Sequence, residues 1–189
     1  MFRIDWQAEG LAAIEPTLDD VRAHADELAG GYNEPRNASL MGHTAALTPE
    51  EVVEHYADMA DEGAHQFLLY VNGALAGDAD LRGIADGAAE FAFMIGTPAA
   101  QGKGLGTKFA TMIYAFAFEQ LGLERVYASV IPANTASKRV FEKLGCVVDD
   151  SPAARAYADE PDDLVMAIDH ASFTSKNKPA LTIRPRADV

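Results

Sequence analysis

Gln101-Gly-Lys-Gly-Leu-Gly106 separates a strand-like run from the longest helical stretch of the chain, and few arrangements place three alternating glycines there. Upstream lies Ala88 to Ile95 and a short Thr97-Pro-Ala-Ala connector. Downstream, Leu105, Phe109, Met112, Ile113 and Phe116 recur at helical spacing through Leu121, and Gly122 closes the run. The first amides of a helix lack internal partners, and the helix dipole adds partial positive charge at the same end. Glycines there let an anion approach the backbone closely and permit positive φ. Lys103 adds a cation. The pattern predicts a phosphate cradle. It is not a P-loop, and glycines at 102, 104 and 106 do not fit the dinucleotide fingerprint. A different phosphate-ligand enzyme, such as a nucleotide binder, is therefore the weaker reading. A glycine-rich turn that binds nothing is the alternative on this segment alone.

The segments around the cradle predict an α/β (α+β) architecture with a mixed sheet. Thr17 caps a helix through about Ala29, ended by Gly30-Gly31. Thr48-Pro-Glu-Glu51 is a capping box opening a second helix to Asp61, stopped at Gly63. Gln66 to Val71, Ala74 to Leu81 and Ala88 to Ile95 form an antiparallel meander through Asn72-Gly73 and Asp86-Gly87 turns. Then follow a strand at Glu124 to Ile131, a helix from Asn134 to Leu144 stopped by Gly145, and closing strands at Cys146 to Asp149 and Leu164 to Ile168. Residues 1–170 make one domain on this reading, and 171–189 a polar tail with a short strand near Ala180 to Arg184. That strand has three readings: a late edge strand, a homodimer contact, or the start of another domain.

Two segments together resemble the GNAT superfamily of acyl-CoA N-acyltransferases. Gln101, Gly104 and Gly106 fill its Q/R-x-x-G-x-G/A pattern. Asn134-Thr-Ala-Ser-Lys-Arg-Val-Phe-Glu-Lys-Leu-Gly145 resembles its second signature, at the family's spacing. The likeness covers about Gln66 to Ile168, and its layout loosely resembles the ribosomal-protein and small-molecule acetyltransferase branch. It implies a mostly antiparallel sheet with flanking helices and a splayed parallel pair, Ala88–Ile95 and Glu124–Ile131. It implies acetyl-CoA as co-substrate and no metal. The pyrophosphate would rest on Gln101, Gly102, Lys103, Gly104, Leu105, Gly106 and Thr107. Backbone groups near Phe93, Met94 and Ile95 would pair with the pantetheine amides. Asn134, Ser137 and Phe141 would also meet the cofactor, although Asn134 is equally suited to cap its helix.

Acyl transfer to an amine needs a neutral nucleophile, a donor for the oxyanion and a proton for the leaving sulfur. The resemblance points to Glu90 as the base. An edge carboxylate facing solvent is the plain alternative, and no charge partner for Glu90 is visible in the sequence. The donor expected is a backbone N–H near Met94. The family's usual acid, a tyrosine, is replaced here by Phe141, and neither Tyr114 nor Tyr127 matches that position. This motivates a second functional reading, a non-catalytic acyl-CoA sensor or partner domain.

Charge bears on the acceptor. The chain carries a net charge of -14, against a nucleic-acid footprint. Residues 1–100 sum to -14 and residues 101–145 to +3, so a basic stretch sits in an acidic body. That suits an anionic co-substrate and a cationic acceptor, such as a protein N-terminus, a polyamine or an amino sugar. The clusters Asp149-Asp150 and Asp159 to Asp163 are ordinary solvated loops or flank that acceptor. His24, His43, His55 and His65 lack metal-ligand spacing, although Glu51 and His55 share a helix face. Cys146 reads as a buried inert thiol and Trp6 as core. No signal-peptide pattern or membrane-length apolar run is present, so the expected location is the cytoplasm.

Overall fold

The computed structural model describes residues 1–42, 45–96, 100–177 and 179–186. His43 and most of the Thr97-Pro-Ala-Ala connector lie outside the described residues. Among the described residues the strands form one nine-stranded sheet in the order β7-β8-β6-β5-β4-β3-β2-β1-β9. The meander is β3 (His65–Val71), β4 (Ala74–Ala85) and β5 (Ala88–Ile95), with turns at Asn72-Gly73 and Asp86-Gly87. β6 (Arg125–Val130) runs parallel to β5, and all the other pairings are antiparallel. β7 (Val147–Val148) and β8 (Leu164–Asp169) complete that side.

Strand alternation divides the sheet into two packed faces. Phe67, Leu81, Phe91 and Val126 point to the face covered by α4 (Leu105–Glu119), where Phe109 to Phe118 are all buried. α5 (Thr135–Leu144) and α7 (His170–Lys176) add Phe141, Leu144 and Phe173 to this core. On the opposite face, Leu68 packs with Val21 and Leu28 of α1 (Leu18–Tyr32) and with Val52 and Tyr56 of α3 (Pro49–Asp61). α6 (Pro152–Arg155) covers Tyr127 and Val165 on that same face. Between these two groups of helices the sheet centre is left open, and the side chains of residues 78, 80 and 82 point there.

Both early helices start at the expected caps: Thr48 forms the expected capping box with Glu51, and Thr17 forms one too, with Asp20. α1 does not stop at Gly30-Gly31 but continues to Tyr32. The reason is a close approach: a side chain on Gly31 would meet Gly96 Cα and Met94 Cε at 3.0 Å. The glycine there admits the end of β5 rather than ending the helix.

Several elements were not expected, α6 and α7 among them. β1 (Phe2–Trp6) and β2 (Leu11–Ile14) extend the sheet, and α2 (Pro35–Leu40) follows α1. The alternation Phe-Arg-Ile-Asp-Trp was the available signal for β1. Leu-Ala-Ala-Ile is too short and too rich in alanine to announce β2. The tail is not simply polar, since Phe173 of α7 is core. Of the three readings of its strand, the edge strand is the one observed. β9 (Thr182–Pro185) pairs antiparallel with β1, and Arg186 donates to Asp20 Oδ2 at 2.6 Å and to the Glu15 carbonyl at 2.8 Å.

Candidate active site

β5 and β6 pair over only three register positions, Ala88 with Arg125, Ala89 with Val126 and Glu90 with Tyr127. Beyond them the strands diverge. Backbone along Phe91 to Met94 and along Ser129 to Ile131 faces a cleft of about 680 Å³. One end of it is bounded by α5, through Asn134, Ser137 and Phe141. On its other sides stand Tyr32 of α1, Leu40 at the end of α2, His55 of α3, and the loop residues Asp159, Glu160 and Asp163.

The glycine turn lies where α4 begins. Gly102 and Gly104 have φ of +74° and +77°, and neither has an atom within 4 Å of where a side chain would begin. Gly104 is the N-cap of α4 and offers no side chain to the first-turn amides. Gly106 serves packing instead: a Cβ there would meet Phe93 Cε2 at 3.0 Å and Val140 Cγ2 at 3.3 Å. Backbone open to the outside, unblocked by side chains and at the positive end of a long helix, fits a diphosphate. Lys103 is exposed beside it, whereas Lys108 is taken by Glu9. Leu105 begins the helix against the core, and the Thr107 carbonyl accepts from Thr111 Oγ1 at 2.8 Å.

Several expected residues have structural partners. Gln101 Nε2 donates inward, to Asn37 Oδ1 at 2.9 Å and to the Ile95 carbonyl at 3.1 Å. Asn37 Nδ2 in turn donates to the carbonyls of Gly31, Ile95 and Gly96. The pair fastens the turn to α1 and β5, so the Ile95 carbonyl is already occupied. Asn37 carried no sequence signal. Asn134 Oδ1 caps α5 by accepting from Ser137 N at 3.1 Å, while its Nδ2 reaches the Leu40 carbonyl at 3.4 Å. Phe141 packs edge-on against Phe91 and Phe93. Tyr114 is fully buried, and Tyr127 stacks on Tyr157; neither lines the cleft.

A charged cluster forms the floor on the α1 and α3 side. It follows from register: Asp78, Asp80 and Arg82 alternate along β4, opposite Met94, Ala92 and Glu90 of β5. Asp78 Oδ2 accepts from Tyr32 at 2.5 Å and from Tyr56 at 2.8 Å. Burial pushes its carboxyl up to about 6, against the pull of the two hydroxyls. Glu90, with no partner visible in the sequence, has one: Arg82 binds both its oxygens, at 3.0 and 2.8 Å. Glu90 does not line the cleft, while Arg82 does. Burial raises the Glu90 pKa, and the Arg82 hydrogen bonds and charge oppose the rise. Arg82 also reaches Asp159 at 3.2 Å. Burial disfavours its charge, but the surrounding carboxylates more than offset that and raise its pKa. The loop is pinned by Ser129 Oγ, which donates to Asp163 and accepts from Asp159 N.

The comparisons agree with this geometry. The family model described as an acetyltransferase (GNAT) domain matches residues 15–147. A Bacillus subtilis (strain 168) protein named "Probable N-acetyltransferase YjcK" is 32% identical over 101 residues, 51% of this chain and 55% of that protein. The chain thus spans about half the length of the curated relative it matches. Among solved structures, aminoglycoside acetyltransferase AAC(6')-Ib in complex with coenzyme A is 20% identical, with a TM-score of 0.72 over 87% of this chain and 98% of that one. The same enzyme with ribostamycin and coenzyme A gives 20% identity and a TM-score of 0.73, covering 90% and 99%. RimJ of Mycobacterium smegmatis with CoA-disulfide is 16% identical, with a TM-score of 0.67 over 89% and 86%. At these identities the likeness to the solved structures shows a shared fold. Among the described residues no helix is long and apolar enough to cross a membrane, and no group of three or more metal-ligating side chains converges.

Proposed function

Because the chain belongs to the GNAT acetyltransferase family, we propose that it transfers an acetyl group from acetyl-CoA to a cationic primary amine by direct attack in a ternary complex. The observation that carries this reading is the divergence of β5 from β6 beside an open glycine cradle. Amides from Gly102 to Gly106 and the first turn through Thr107 hold the diphosphate, with Lys103 as a mobile counter-charge. The edge of β5 beyond Glu90, where it no longer pairs with β6, receives the pantetheine arm as an added strand near Phe93 to Ile95. A backbone N–H near Met94 is the donor for the oxyanion. Ser137, Asn134 and Phe141 shape the far wall, Asn134 chiefly by ordering α5.

The acceptor binds on the other side of the sheet, over β4. Asp78, Asp80, Asp159, Glu160 and Asp163 line that region against the single guanidinium of Arg82. Such a surface selects positive charge. Amino sugars, polyamines and peptide N-termini belong to that class, and the related enzyme solved with ribostamycin binds such an amine. Glu90 holds Arg82 in place across the cleft floor; its two oxygens are committed there rather than open to an incoming amine.

Calorimetric titration with CoA tests the first half, and thiol release from acetyl-CoA across a panel of spermidine, ribostamycin and short peptides tests the second. Binding with turnover of at least one amine is expected. Binding without turnover would make the protein an acyl-CoA sensor, a reading to which the missing hydroxyl at Phe141 lends weight. No CoA binding would overturn both.

A further inference from the structure

Each carboxyl of the cleft floor can be asked how much capacity it has left. Asp78 Oδ2 is saturated by two tyrosine hydroxyls, and the residue is buried. Glu90 gives both oxygens to Arg82. Asp159 is 58% exposed and pairs with Arg82, and Asp163 accepts from Ser129. Asp80 differs from all of them. It lines the cleft, its Oδ1 is enclosed without a hydrogen-bond partner among the described residues, and the nearest cationic atom, Arg82 Nη1, is 3.8 Å away. Its side chain is 18% exposed. A buried carboxylate oxygen left unpaired is costly.

We propose that Asp80, rather than Glu90, is the group that takes the proton from the acceptor amine. This rests on the transferase reading above. Asp80 stands opposite Ala92, between the register positions of Met94 and Glu90. It thus lies on the floor one register position from Phe93, where the strand segment assigned to the pantetheine arm begins. The acceptor ammonium first gives one proton to solvent; as the neutral nitrogen then forms its bond to the acyl carbon, it releases a second N–H proton to the Asp80 carboxylate. The carbon–sulfur bond breaks with its electron pair on sulfur. The sulfur takes one proton from solvent, and Asp80 returns one, so charge and protons balance.

The surroundings suit a base. Burial pushes the Asp80 carboxyl up to about 7; Arg82 opposes this, and Asp78, Glu90 and Asp159 add to it. A base whose affinity matches the working pH is the most effective one. Tyr32 of α1, His55 of α3, and Glu160 and Asp163 of the loop also face this cleft. An activity profile alone would therefore mix their titrations with that of Asp80.

The test separates them. Carbon-13 NMR of aspartate-labelled protein, free of ligand, should give an Asp80 carboxyl titrating near 7, identified by its loss in Asp80→Asn. With the best amine of the panel, Asp80→Asn should lower kcat about 100-fold or more and lose the limb that rises through neutral pH. CoA affinity should stay within about two-fold, and Asp80→Glu should restore part of kcat. The melting temperature of Asp80→Asn at pH 8 should not fall, which excludes unfolding as the cause. A carboxyl titrating in the ordinary range near 4, or an Asp80→Asn protein that keeps kcat and its pH limb while binding CoA, overturns this inference alone. Absent CoA binding in the wild type overturns the transferase reading beneath it.

Discussion

The two halves of the cleft are made of different material. The half over the α4 start is backbone: glycines, amides and the free edge of a diverging strand. The half over β4 is side chain: Asp78, Asp80, Glu90 and Asp159 with Arg82, brought together by strand register and a distant loop. Backbone sites are selective through shape and barely depend on pH. Side-chain sites are selective through charge, and burial makes them sensitive to protonation. A ligand shared by a whole family suits the first kind, and a variable acceptor suits the second.

The difference should be largest when the arginine is removed. Arg82→Ala leaves Glu90 buried without a partner, beside Asp80 and Asp159. Breaking a buried pair in this way costs about 3–5 kcal/mol. Urea denaturation at pH 8 should show that loss, and at pH 5 a smaller one, because the acids can then take up protons. An equal loss at both values would mean that charge is not what holds the floor together.

Titration of the wild type should show the same asymmetry. Asp78, Asp80 and Glu90 hold protons more tightly in the folded chain than in the unfolded one. Between about pH 4 and 7 the folded state therefore binds more protons, and stability falls as pH rises across that window. Asp80→Asn should flatten part of the slope and stabilise the protein at pH 8 by about 2–4 kcal/mol. A group placed for function at a cost in stability behaves in this way. No gain at pH 8 would mean that the Asp80 carboxylate is better solvated than its enclosure indicates.

The backbone half responds to geometry instead. Gly104→Ala puts a side chain on a left-handed residue, at about 1–2 kcal/mol, and projects a methyl where the diphosphate is proposed to sit. CoA affinity measured by calorimetry should fall about tenfold or more at both pH 6 and pH 8. A strong pH dependence of that loss would blur the contrast between the halves.

What the sequence disclosed divides along the same line. The glycine turn was legible because its requirement is local. Gly102, Gly104 and Gly106 must be adjacent along the chain to make one turn, so they appear as a pattern. β5 could be bounded at Ala88 and Ile95 for a similar reason, a turn on one side and a connector on the other. The charged floor of the cleft was not legible. Tyr32, Tyr56, Asp78, Arg82, Glu90 and Asp159 meet only after four elements pack, and nothing in their spacing announces it. Glu90 was found by resemblance, but Arg82, eight residues away across a hairpin, was not matched to it. Asn37 escaped for the same reason. Its value lies in three carbonyls presented by the ends of α1 and β5.

The smallest expected effect tests whether the basic stretch matters beyond its backbone. Lys103 is exposed in the glycine turn, so its side chain meets a phosphate only through solvent-screened attraction, about 0.2–1 kcal/mol. Lys103→Ala should weaken CoA two- to five-fold at low salt, leave the melting temperature of the free protein unchanged, and lessen the salt dependence of binding. The fold loses nothing, because no packing depends on that side chain. If the substitution abolished binding, the cradle would be a charge site like the acceptor floor. The amides of Gly102 to Gly106 would then be secondary, and the division between a backbone half and a side-chain half would fail at the place where it should be clearest.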